Sequence, residues 1–491
     1  MERESEEDAI TITRHLLVAE KQDEDYFAGG RDASTSVSQR GGSSVTAALV
    51  FSTTVAVCGS FAYGCWAGYI SPVRSEIMSD LGLSTAEFSL FASLATLGGL
   101  LSSLVSGKIS DWIGRRATMG FGQILCLSGW ILIVFSQGAW SLDLGRLLQG
   151  GGVGLLLYVI PIYLAEIAPE NLRGGSVVLN QLLISCGIAT MFFAGNVIGW
   201  RILALIGMLP CLVQLLCLFF IPESPRHLAR IGRDKEFEAT LLCLRGGNVD
   251  ITHELAEIKE YTAALQQIPK VNLSHLFQRK YAYALIVVFG LMALQQLGGS
   301  TGILFYASDI FESAGCSSAV GTTVMAIIQL PSCFVSVFFM DKFGRRLIGL
   351  SSAAGMCFSC ILTALSFLLK GNQWLKEISP YLVLIGISGY SLAYPMGMGG
   401  LPYLMMAELL PINIKGLAGS LASSILWSTS WIVSYAFAFM LEWSSSGTFF
   451  IFAGVNAFLL LFIAKLVPET KGQSLEEIQE SITISRPLSA F

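Results

Sequence analysis

Apolar residues in this chain gather into twelve long runs separated by polar breaks. The runs cover roughly 44–69, 84–107, 117–137, 141–164, 176–198 and 201–221, then 281–304, 318–340, 346–369, 379–405, 416–441 and 446–467. Each is close to the ~20 residues that carry an α-helix across a bilayer core, and far longer than a barrel strand needs. Lipid offers no partner to an unpaired backbone group, so each run must satisfy its own hydrogen bonds as a helix. Two polar stretches organise the rest. Residues 1–43, rich in Gly, Ser, Asp and Glu, read as a disordered tail. Residues 222–280 divide the runs six and six. The expected fold is therefore all-α and polytopic: a tail (1–43), a six-helix bundle (44–221), an intracellular helical loop (222–280), a second six-helix bundle (281–467) and a short tail (468–491).

Composition agrees with this pattern. Of 491 residues, 53% are apolar and 13% charged, and the mean hydropathy is +0.64. That charged share is about half the usual value for a soluble domain, which argues against a cytosolic enzyme or a nucleic-acid binder. The net charge of −5 resides in the first 43 residues, which hold five bases and ten acids. Eleven cysteines fall singly, mostly in apolar runs, without metal-ligand spacing or a paired framework. The start, MERESEEDAI, has acids where a signal peptide has bases. No His pair, Ser-His set or paired carboxylates share the apolar runs, so no catalytic or metal site and no cofactor is expected.

Lys and Arg placement orients the chain. With the N-terminus in the cytosol, cytosolic segments hold 25 of the 30 basic residues, and the outer loops only Arg74, Lys370 and Lys376. Both termini are thus expected inside.

The halves repeat. Asp111-Trp-Ile-Gly114-Arg115-Arg116 follows the second run, and Asp341-Lys-Phe-Gly344-Arg345-Arg346 follows the eighth. Two matched bundles are the layout of a rocker-type carrier with its substrate site near the midplane. In each turn Gly permits the bend, while Asp and Arg can bridge helix ends. Glu166 ends the fourth run and Glu408 the tenth at the same depth. Asp111, Arg115, Arg116, Glu166, Asp341, Arg345, Arg346 and Glu408 are therefore expected to form a cytosolic gate of ion pairs that holds in one state and breaks in the other.

Polar side chains inside the runs carry the candidate binding chemistry. Gln181 lies in the fifth run, Gln295 and Gln296 in the seventh, and Gln329 in the eighth. An amide both donates and accepts, as a sugar hydroxyl does. Trp427 offers a flat face to a pyranose ring. Arg146, within the fourth run, costs about 2.5–3.5 kcal/mol to insert, so it needs a partner, a cavity or the outer interface.

These residues, with Gly145-Arg146-Leu, Pro161-x-Tyr163-x-x-Glu166, Pro222-Glu223-Ser224-Pro225-Arg226, Gln295-Gln296-Leu-Gly-Gly, Gly397-Met-Gly399-Gly400-Leu-Pro402 and Pro468-Glu469-Thr470-Lys471-Gly472, resemble the sugar porters of the major facilitator superfamily. The likeness is strongest to the plant early-responsive-to-dehydration-like monosaccharide transporters, and it covers about 45–480. It implies that Gln181, Gln295, Gln296, Gln329 and Trp427 are hexose contacts. It also implies transport of a monosaccharide, such as glucose or fructose, by alternating access.

Several positions depart from the family pattern. Thr301 stands where an Asn is usual, Phe305-Tyr306 replaces a tyrosine pair, Leu426 replaces an Asn before Trp427, and Tyr403 replaces a Trp. Thr301 still offers a hydroxyl to the sugar. Proton-driven members pair an Asp of the first span with the Arg of the fourth. The matching stretch here, Tyr63-Gly-Cys65-Trp66-Ala-Gly-Tyr-Ile70, holds no acid. Downhill transport is therefore expected. A proton-coupled sugar or polyol symporter, with Asp309 as its acid, and a non-transporting sugar sensor stay open as alternatives. In the first tail, Ile12-Thr-Arg-His-Leu16-Leu17 is similar to the vacuolar sorting signal of that plant group. Leu16 and Leu17 would engage a sorting adaptor, with the plasma membrane as the other location.

Overall fold

The computed structural model describes residues 46–169, 172–246, 250–267, 276, 278–370 and 377–471. Its elements are helices, and twelve are long and apolar enough to cross a membrane. The first half comprises α1 (Ala47–Leu81), α2 (Thr85–Ser103), α3 (Ser106–Ile113), α4 (Arg115–Val134), α5 (Ala139–Ile167), α6 (Arg173–Gly195) and α7 (Trp200–Cys217). Three short helices follow: α8 (Pro225–Arg230), α9 (Asp234–Arg245) and α10 (Thr252–Gln267). The second half comprises α11 (Arg279–Leu297), α12 (Ser300–Phe305), α13 (Ala307–Ala314), α14 (Ser318–Phe343), α15 (Arg345–Leu369), α16 (Ser379–Met396), α17 (Leu401–Leu409), α18 (Ile412–Trp443) and α19 (Ser445–Leu466).

Large apolar side chains face outward as well as inward. Leu216, Phe358, Ile385 and Leu461 are each more than half exposed, which suits contact with lipid and not with water. The chain is a multi-pass membrane protein. The helices α8 to α10 keep a small apolar core of their own, Leu228, Phe237, Leu241, Ile251 and Ile258. Arg245 ties this unit to the first half: it pairs with Glu254 (2.7 Å) and donates to the Ile167 carbonyl (2.8 Å) at the end of α5.

Three expectations about the runs are revised. The first run ends near residue 69, yet α1 continues to Leu81. Its last turns are polar because they pack on protein: Glu76 accepts from the Trp200 backbone N–H (2.8 Å) and Asp80 from its indole (2.9 Å). The seventh run, read as one span, is broken at Gly298-Gly299, where Gly299 adopts φ +97°. The tenth is broken between Met396 and Leu401. Broken helices expose polar backbone inside a membrane protein only where it lines a cavity or is buried in protein.

Candidate substrate site and helix-end clusters

The break in the seventh span gathers the amides. Gln295 is buried, and its Nε2 donates to the Tyr394 hydroxyl (3.0 Å) and the Met398 carbonyl (2.7 Å). It thereby ties the seventh-span break to the tenth-span break. Its Oε1 is buried without a partner. Gln296 Oε1 accepts from Thr301 (2.6 Å) and Ser300 (3.0 Å), and the Thr301 hydroxyl meets Ser430 of α18 (2.9 Å). Ser430 is one helical turn from Trp427, whose indole is buried. Asn456 (3.1 Å) and Tyr390 (3.1 Å) both donate to the Gly298 carbonyl that the break frees. Gln295, Gln296, Thr301 and Trp427 therefore share one neighbourhood on the second half.

Gln181 and Gln329 lie elsewhere on the junction. Gln181 is exposed and Gln329 half-buried. Each sits one turn from the Ser185–Cys333 contact (3.1 Å) that joins α6 to α14.

Arg146 is fully buried. Its Nη1 donates to the Gln149 side chain (3.0 Å) and the Trp66 carbonyl (3.4 Å), and its guanidinium lies over the rings of Tyr69 and Phe91, 5.1 Å from each centroid. Among the described residues none of its partners is a carboxylate. Of the sequence alternatives, the outer-interface position is excluded by this burial.

At the end where the D-x-x-G-R-R turns lie, the two halves repeat the same pattern of contacts. Arg115 pairs with Glu166 (2.9 Å), and Arg345 with Glu408 (3.1 Å). Ser224 donates to Glu166 (2.5 Å), and Thr470 to Glu408 (2.5 Å). Glu223 accepts from the backbone N–H groups of Arg115 (2.9 Å) and Arg116 (3.2 Å), and Glu469 from those of Arg345 (2.9 Å) and Arg346 (3.1 Å). Each carboxylate thus caps a helix start, where free N–H groups favour an anion. Arg116 also donates to the Ile221 carbonyl (3.0 Å) and Arg346 to that of Ala464. Gly114 and Gly344 adopt φ +90° and +87°, and a Cβ on either would strike the capping carboxylate. Only glycine meets both demands.

Sequence reading missed Glu223 and Glu469, although Pro-Glu-Ser and Pro-Glu-Thr after the sixth and twelfth spans are themselves a repeat. It also missed His227, whose Nδ1 lies 3.2 Å from Arg115 Nη1. Arginine has no acceptor, so the imidazole accepts. Burial, with the Arg115 cation beside it, holds His227 below its ordinary range and so in the neutral form. Asp111 pairs with Arg230 (2.5 Å) and Arg115 (3.3 Å). The Asp341 side chain lies outside the described ones, as do Leu16 and Leu17.

Among the described residues, none of these ion pairs joins one six-helix bundle to the other. Besides Ser185–Cys333 and the buried Thr96–Ser434 contact (3.4 Å), several polar contacts that cross between halves lie at the opposite end. Arg74 pairs with Asp309 (2.8 Å), Ser71 meets Ser308 (2.9 Å), Thr85 donates to Glu442 (2.7 Å) and Asn196 to Thr322 (3.3 Å). The Arg74 guanidinium also lies over the rings of Phe88 and Tyr306.

A family model described as "Sugar (and other) transporter" matches residues 31–482. The chain belongs to the sugar-transporter family. Sugar transporter ERD6 of Arabidopsis thaliana is 44% identical, over 98% of this chain and 98% of its own. Sugar transporter ERD6-like 18 of the same plant is 48% identical, over 89% of this chain and 92% of its own. An inward-open structure of the xylose transporter XylE from E. coli matches with a TM-score of 0.75 and 24% identity, over 88% of this chain and 99% of that one. XylE bound to 6-bromo-6-deoxy-D-glucose matches at 0.71 and 24%, over 89% and 99%. The fold is that of the major facilitator superfamily, and the chain is a transporter and not an enzyme.

Replacing Glu166 with Gln removes the charge that holds Arg115. Losing one charge-assisted bond, about 1.5–3 kcal/mol, should slow sugar uptake by roughly tenfold in Vmax with KM nearly unchanged. Initial rates in proteoliposomes check this.

Proposed function

We propose that this sugar-transporter family member carries a monosaccharide, of the hexose class, downhill across its membrane by alternating access. The observation that carries this reading is the convergence of Gln295, Gln296, Thr301 and Trp427 on the broken seventh span, with acceptors left unpartnered inside the bundle. Gln181 and Gln329 would supply further amides from α6 and α14. A millimolar dissociation constant needs only about −4.1 kcal/mol, within reach of a few such contacts.

With both termini cytosolic, Arg74–Asp309 closes the outer side and the Arg115 and Arg345 clusters lie at the inner side. This arrangement is inward-facing. The eight helix-end residues would bridge the halves when the inner side closes, exchanging partners within each half for partners across it.

The coupling follows from Arg146. In its place among Gln149, the Trp66 carbonyl and two aromatic rings, the cation has no carboxylate or imidazole partner among the described residues to relay a proton. Cys65→Asp or Trp66→Asp, on the first-span stretch whose Trp66 carbonyl accepts from Arg146, should let a pH gradient drive sugar accumulation by a carrier that otherwise runs only downhill. Uptake of labelled hexoses into proteoliposomes, with and without that gradient, tests both statements. Accumulation against the sugar gradient by the wild type, abolished by an uncoupler, would falsify the downhill reading. Binding without flux would favour a sensor.

We assign the protein to the vacuolar membrane through Leu16 and Leu17. Replacing both with Ala should move a fluorescent fusion to the plasma membrane.

A further inference from the structure

Trp66 lies on α1 of the first half, yet its ring meets two aromatic side chains of the second. It packs edge-on against Phe305 (centroids 6.1 Å, planes at 82°) and against Trp427 (6.5 Å, 68°). Phe305 lies one turn beyond Thr301 on α12, and Trp427 one turn before Ser430 on α18. The Thr301–Ser430 contact is therefore flanked on both of its helices by residues that touch this one indole. Trp66 is 4% exposed, and its Nε1–H is buried without an acceptor. Gln295 Oε1, on the neighbouring α11, is buried without a donor. A donor without an acceptor and an acceptor without a donor thus both belong to the residues around the seventh-span break. A hydroxyl group can serve both kinds of atom.

We infer that Trp66 is a substrate-contacting residue: its indole walls the amide site from the first half, and its Nε1–H donates to a hydroxyl of the sugar. The inference rests on the monosaccharide reading above and adds to it a contact made by the opposite half. A sugar held by Gln295 and Gln296 on one side and by Trp66 on the other bridges the two bundles. Its binding then favours the closed arrangement by its differential contacts in that state.

Labelled D-glucose and D-fructose are supplied to proteoliposomes, and the better substrate is carried forward with its monodeoxy analogues as competitors. Trp66→Phe keeps a ring and removes the N–H. It should raise KM about tenfold, the worth of one such bond, with Vmax within about twofold. One monodeoxy analogue, roughly tenfold weaker than the parent sugar on the wild type, should compete as well as the parent sugar on Trp66→Phe, while the other analogues keep their penalties. Trp66→His, which can present a ring N–H, should restore part of that analogue's penalty. Trp66→Leu, which also lacks a donor, takes the place of Trp66→Phe if the latter does not purify. If every analogue keeps its full penalty on the variant, the indole does not touch the sugar and the inference fails alone. If the wild type takes up neither hexose saturably, the monosaccharide reading fails and takes the inference with it.

Discussion

Replacing Gln295 with Leu is expected to raise the KM for hexose uptake by at least ~30-fold, and to do so more severely than any change at the helix-end clusters. Gln295 is 1% exposed. Its Nε2 donates to the Tyr394 hydroxyl and the Met398 carbonyl, and its Oε1 is buried without a donor, the acceptor that the proposed site would offer to substrate. Leucine matches the volume but pairs with none of these. A buried polar atom left unpaired costs about 1–3 kcal/mol, and each 1.4 kcal/mol is tenfold in affinity. Two broken bonds together with a lost substrate contact therefore reach beyond ~2 kcal/mol. Initial-rate kinetics on the purified variant check this; a KM within about threefold of wild type would mean that the amide only braces the tenth-span break.

Replacing Arg74 with Ala is expected to open the end of the molecule where Arg74 and Asp309 join the halves, the outer end in the proposed orientation. The Arg74–Asp309 pair joins the halves at 2.8 Å, with the two side chains 14% and 18% exposed. Removing the cation leaves a largely buried carboxylate beside Glu312 without its counter-ion. Breaking a fully buried pair costs about 3–5 kcal/mol; partial exposure lowers that to about 2 kcal/mol, roughly thirtyfold in the balance of the two states. Hydrogen exchange in lipid nanodiscs should accelerate at residues 69–81 and 306–315, and unchanged exchange there would rule the lock out.

The same pair has a pH signature. Burial pushes the Asp309 carboxyl above its ordinary range, and Arg74 pulls it back only in part. A group with a raised pKa in the closed arrangement holds its proton more tightly there than in the open, hydrated one. Acidification therefore favours the closed outer end, and raising the pH through the elevated value weakens it. Asp309→Asn, fixed in the neutral form, should lose that dependence.

The twelve spans were legible because lipid demands continuous apolar runs. Their true ends were less so. Hydropathy registers contact with lipid, and the last turns of α1 touch protein through Glu76 and Asp80. Gln295 and Gln296 stood out because amides are conspicuous among apolar neighbours, whereas Trp427 was tied to the sugar through the family resemblance. Glu223 and Glu469 did not, since an acid in a polar loop has no contrast to reveal it; only the repeated Pro-Glu-Ser and Pro-Glu-Thr could have. Trp66 was invisible as a contact for the opposite reason, an indole in an apolar run being indistinguishable from core. Its role depends on which half it reaches, and that is tertiary information.

The most direct test is a structure determined with a bound hexose. Sugar density is expected between the halves, its ring against Trp427 and its hydroxyls within hydrogen-bond distance of Gln295 Oε1 or the Gln296 amide. Density confined to another surface, with Gln295 and Gln296 still bonded only to protein, would contradict the proposed carrier site.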